Sequence, residues 1–143
     1  MITTFRKPGI ALAAATLMTS IFVSGAVLAM APIKINLTGA EEVPPVQTSA
    51  KGTGSITVGD DKSVSGSVKT TGIKGTMAHI HQGAKGENGP PIITLTKSGD
   101  EWAVPPGAKL TDEQLKSLKD GHLYVNVHSD AHKGGEIRAQ LKP

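Results

Sequence analysis

All five histidines of this chain lie between positions 79 and 132, and two of them stand as His79-Ile80-His81. On a β-strand, side chains at i and i+2 leave the same face about 7 Å apart, near enough for two imidazoles to converge on one ion with bonds of about 2 Å. Ile80 then points into the core. Further along, Tyr124, Asn126 and His128 share one face of an alternating run whose other face is Leu123, Val125 and Val127. If the two strands are neighbours, His79, His81 and His128 form an all-nitrogen site to which His132, Asp130 or water can add a ligand. Imidazole-rich sites suit copper(II), with zinc as the alternative, whereas calcium and magnesium require more oxygen. The candidate metal ligands are therefore His79, His81, His128 and His132. The competing reading leaves these histidines hydrogen-bonded to backbone and solvent, with no ion.

The other polar residues suggest less chemistry. Met77 shares the strand parity of His79 and His81, and its thioether could bind copper(I), but its apolar bulk predicts a core filler. His122 follows Gly121, where a helix is expected to end, and an imidazolium there favours the helix C-terminus. Glu41 and Glu42, beside Pro44 and Pro45, read as a solvated acidic loop. Arg138 alternates with Ile137 and Ala139 and is expected to pair with Glu136 or a nearby carboxylate. There is no cysteine, which excludes disulfides, thiolate metal sites and a cysteine nucleophile. No G-x-S-x-G elbow or phosphate-loop lysine pattern occurs, so no catalytic residue is assigned and a binding role is expected over an enzymatic one.

The elements that must position these histidines are short strands. Seventeen Gly and nine Pro among 143 residues mark a chain that turns often. Ile33, Ile35 and Leu37 alternate with Lys34 and Asn36, the pattern of a strand with one wet face. Similar runs at 54–58, 63–68, 76–81, 92–96, 123–128 and 136–141 bring the total to about seven. Thr111 with Gln114 makes a capping box for one short helix, with Leu115 and Leu118 inward. The fold class expected is all-β: a Greek-key antiparallel sandwich or barrel with one helix.

The first 31 residues differ from the rest. Arg6 and Lys7 precede an uncharged apolar run from Ile10 to Val27, and Ala29 and Ala31 form a small-x-small cleavage site. This is the three-part pattern of a secretory signal, so residues 1–31 are expected to be removed, leaving a domain over 32–143 that is periplasmic or secreted. Membrane contact is then expected only through an uncleaved presequence. Its loss leaves 13 basic against 12 acidic residues, and Trp102 and Tyr124 as the remaining aromatics. A balance this even, with so few rings for stacking, offers no footprint for nucleic acid. The partners expected are a transition-metal ion or, on the metal-free reading, another exported protein.

Three segments taken together resemble a known family: 37–46 (LTGAEEVPPV), 78–83 (AHIHQG), and 124–129 (YVNVHS) leading to 135–138 (GEIR). They are similar to the CHRD family, the domain named after chordin, over about Ile33 to Leu141. The resemblance implies an exported or extracellular single β-rich domain and supports a binding module. The family's recurrent histidines map onto His79, His81 and His128, whereas His122 and His132 are additions of this sequence. A fainter similarity is to copper–zinc superoxide dismutases, which also place an H-x-H pair on one strand, a further copper histidine on a later strand and an arginine near the end of a β-barrel. The arrangement expected is immunoglobulin-like or superoxide dismutase-like, and this second similarity implies a third reading as a copper enzyme with Arg138 steering an anion.

Overall fold

The computed structural model describes residues 29–143. The export signal expected at 1–31 thus lies outside the described residues apart from its last three. Of these, Ala29 bridges Gly59, and the Met30 N–H donates to the Val58 carbonyl at 2.9 Å.

Alternation translates directly into burial at the start of the domain. Strand β1 (Ile33–Thr38) buries Ile33, Ile35 and Leu37 and exposes Lys34 and Asn36. It pairs with β2 (Lys51–Val58), which turns back through residues 59–63 into β3 (Val64–Thr71). The chain continues through β4 (Gly75–Gln82), β5 (Pro91–Thr94), β6 (Thr96–Ser98), β7 (Glu101–Ala103), helix α1 (Asp112–Lys119), β8 (Leu123–Ser129) and β9 (Ile137–Leu141). The nine strands are joined in one antiparallel sheet of order β5-β4-β8-β9-β1-β2-β3-β7-β6.

The all-β antiparallel class is as expected, with nine strands in place of about seven. The run at 92–96 divides at Leu95 into β5 and β6, and β7 is too short for alternation to reveal. β5 and β6 behave as two halves of one bent strand. β5 pairs with β4, β6 pairs with β7, and between them the Leu95 N–H donates to the Ala78 carbonyl at 2.9 Å. This seam joins the two ends of the strand order and nearly closes the sheet into a barrel.

Inside lie Leu37, Ile56, Val68, Ala78, Ile80, Trp102, Val125, Val127 and Ile137, all essentially inaccessible. The capping box of α1 is formed: Thr111 Oγ1 accepts from the Gln114 N–H at 3.1 Å, and Gln114 Oε1 accepts from the Thr111 N–H at 2.9 Å. Leu118 is buried and Leu115 packs against the same core. Among the described residues, no helix is long and apolar enough to cross a membrane.

Every residue of β8 is buried, on both faces. One face meets the barrel core. The other, which the alternation expects to be wet, carries a buried polar layer, and the histidines belong to it.

Candidate metal centre

Strands β4, β8 and β9 lie side by side, and their register lines up the polar layer. Met77 is opposite His128, His79 opposite Asn126, and His81 opposite Tyr124; on the far side Asn126 faces Arg138, and Tyr124 faces Gln140. Neighbouring strands thus bring His79, His81 and His128 together, with one nitrogen of each ring lying within 4.8 Å of the others. His81 and His128 are each only 7% exposed, and His79 is half-buried at the open side.

The backbone fixes two of the three rings. His81 Nδ1 lies 2.8 Å from the Gly89 carbonyl, and His128 Nδ1 lies 2.9 Å from the Lys133 carbonyl. A carbonyl oxygen only accepts, so each Nδ1 carries the hydrogen and each Nε2 presents its lone pair. This is how metal-binding imidazoles are held by their outer partners. Nε2 of His128 sits 3.0 Å from Nδ1 of His79, which donates to it when no ion intervenes. Nε2 of His81 is buried and has no hydrogen-bond partner. Two nitrogens on one ion at about 2.0–2.1 Å stand about 2.9 Å apart at a right angle and about 3.3 Å apart at the tetrahedral angle. The His79–His128 separation is already that of two ligands.

Charge favours the lone pairs. Burial holds the His79 imidazolium below the ordinary imidazole pKa, and the neighbouring His128 and His81 lower it further. Burial also depresses His81; the Gly89 carbonyl and Asn126 oppose the shift, while His128 and Arg138 reinforce it. Both rings are therefore neutral at pH 7, the form that binds metal.

A cover of loops buries much of the layer. The His81 ring stacks on Tyr124 with centroids 4.8 Å apart, and the Arg138 guanidinium lies 3.5 Å over the Tyr124 ring. Arg138 is 1% exposed and donates to the Glu87 carbonyl at 2.9 Å, the Ala84 carbonyl at 3.1 Å and Gln140 Oε1 at 3.0 Å. These bonds tie the 83–89 segment onto the sheet, and that segment supplies the Gly89 carbonyl that orients His81. Gly89 must be glycine, because a Cβ there would fall 1.6 Å from the Gln82 carbonyl oxygen. Glu42 closes the layer from the segment after β1.

The model of the CHRD domain matches residues 33–141. The chain belongs to the CHRD domain family. No curated protein and no solved structure matches it.

Within this CHRD domain, several residues stand elsewhere than the sequence led us to expect. His132 lies outside the three-histidine cluster. Its N–H bonds to Ser129, and its ring lowers the carboxyl pKa of Glu136. Asp130 is exposed and outside the cluster, whereas His122 lies beyond the helix and outside the site, as expected. Met77, expected in the core, is 51% exposed, because the strand parity it shares with the histidines turns it away from the barrel interior. Arg138 does not pair with Glu136; the carboxylate its charge acts on is Glu42, whose pKa it draws down. Burial raises the Glu136 carboxyl pKa, but bonds from Ser129 and Thr48 outweigh this and keep it ionised without a guanidinium. Arg138, hidden and committed to loop carbonyls, is not placed to steer an anion. Glu42 is buried at 4% exposure, in place of the solvated loop expected, and its Oε1 has no partner.

Burial raises the Glu42 carboxyl to about 7, against the pull of Arg138, Asn126 and the Val43 backbone. A raised folded pKa means stability present below pH 4.5 and lost as pH climbs through 7. Glu42→Gln mimics the protonated form. It is expected to match the parent near pH 4.5 and to gain on the order of 2 to 3 kcal/mol at pH 8. Urea unfolding at the two pH values checks this; an equal difference at both would refute the raised pKa. His79 and His81 act in the opposite sense, since their lowered pKa values remove stability as pH falls below 6.5.

Proposed function

We propose that this CHRD domain is an exported module that holds a transition-metal ion, copper in preference to zinc, through His79, His81 and His128. The observation that carries this reading is the buried, unpartnered Nε2 of His81. A polar atom buried without a partner costs about 1–3 kcal/mol, and an ion bound there would remove that cost. The backbone carbonyls that orient His81 and His128 support it, as does a ligand set of imidazole alone, which suits copper(II) and zinc. A further position on the ion is left to water or to a movement of His132. Export is supported by Arg6 and Lys7 ahead of the apolar run 10–27 and by Ala29 and Ala31.

Titrating copper(II) and zinc(II) into chelator-stripped protein tests the site. One ion per chain is expected, with affinity maintained from pH 8 to somewhat below the ordinary imidazole value of about 6.5 and then falling as protons compete. Absence of saturable uptake at pH 7.5 would remove the metal reading. The hydrogen bond between His79 and His128 favours the alternative, a metal-free module for an exported protein partner. That alternative expects unchanged folding and partner binding in a chelator.

A further inference from the structure

Met77 is the one large hydrophobic side chain that stands exposed among the described residues. A lone exposed apolar side chain is ordinary in itself. What singles Met77 out is its position. From Met77 to Gln82 the pairing of β4 with β8 runs without a shift, so Met77 shares the face of His79 and His81 and lies directly opposite His128. Directly opposed residues on one face of an antiparallel pair have Cβ atoms about 4.5–5.5 Å apart. The triad is covered by loops on the Gly89 side, whereas His79 is only half-buried, so Met77 stands at its open side.

We propose that Met77 is a ligand of this site for copper(I), its thioether joining the imidazoles and making monovalent copper the preferred cargo. The proposal rests on the histidine site described above and deepens it. A thioether is a soft donor that favours copper(I) and adds little for zinc(II). An unbranched side chain with three free torsions, unpacked from the core, can swing inward without disturbing the barrel. No electron transfer is required, since copper(I) binds as supplied.

The test uses the full chain under anaerobic conditions, with copper(I) buffered by a competing chromophoric chelator and zinc(II) titrated in parallel. Met77→Leu keeps the volume and removes the sulfur. It is expected to lower the ratio of copper(I) to zinc(II) affinity at least tenfold, a change of about 1.4 kcal/mol. X-ray absorption of the copper(I) form is expected to show a sulfur scatterer that Met77→Leu lacks. An unchanged ratio with nitrogen scatterers alone, while uptake still depends on His79 and His81, overturns the thioether and leaves the histidine site standing. Copper(I) uptake that survives His79→Ala/His81→Ala overturns both.

Discussion

Alanine at both His79 and His81 is expected to lower the affinity for copper(II) and zinc(II) by more than about a thousandfold, because loss of even an outer-shell partner costs about 10- to 100-fold and here two direct ligands go. The two residues do not carry equal structural weight. His81 is buried and stacked on Tyr124, so its removal opens a gap in the polar layer, whereas His79 is half-buried and its ring leaves a surface notch. His79→Ala alone therefore keeps the test sound if the double variant unfolds. It is expected to retain the far-ultraviolet spectrum of the parent and still to lose most of its affinity. His122→Ala, at an exposed site beyond the helix, is expected to bind as the parent does. His132→Ala decides the fourth ligand: a further tenfold loss assigns it to this loop, and no loss leaves it to solvent. Parent-like affinity in the double variant would end the metal reading.

Arg138→Met is expected to destabilise the domain by about 3–5 kcal/mol, the range for stripping one member from a buried charged network. Methionine keeps much of the stem's packing but donates nothing. The carbonyls of Ala84 and Glu87 and the oxygen of Gln140 then lose their donor inside a covered layer. Tyr124 loses the cation over its ring, and Glu42 loses the nearby positive charge that draws its pKa down. Urea unfolding measures the loss. Amide exchange should locate it, with faster exchange over 83–89 and little change in β1 to β3. Because that segment carries the carbonyl that fixes His81, metal affinity should weaken along with it. A change below about 1 kcal/mol would place the residue among ordinary surface ion pairs.

Sequence patterning revealed one side of each strand and little of what lies over the other. Period-two alternation placed Ile80, Val125 and Val127 inward and therefore His79, His81 and His128 together on the opposite face, and the register bears this out. Alternation also implied that the opposite face is wet, and there it failed. Loops 39–46 and 83–89 fold over it, and their placement depends on contacts as remote as Arg138 with Ala84 or Asn88 with Val43, which no local pattern encodes. Glu42 was misjudged for that reason. Arg138 departs from expectation because two of its acceptors are the backbone carbonyls of Ala84 and Glu87, which leave no trace in residue type, and the others are the neutral amides of Asn88 and Gln140. Met77 shows a conflict of signals, since apolarity argued for the interior while parity with the histidines argued outward, and parity prevailed. β7 is only three residues long, too few for a periodic signal.

The seam at Leu95 bears on how another polypeptide could approach. Among the described residues the outermost strands, of four and three residues, are successive pieces of the same chain, so neither end of the strand order offers a long edge to an added strand. Recognition by strand addition, a frequent route for modules built from sheets, is thereby disfavoured at both ends of the strand order. A protein that approaches there must read side chains and loops, and many copies crowded together should not zip through β5 and β6.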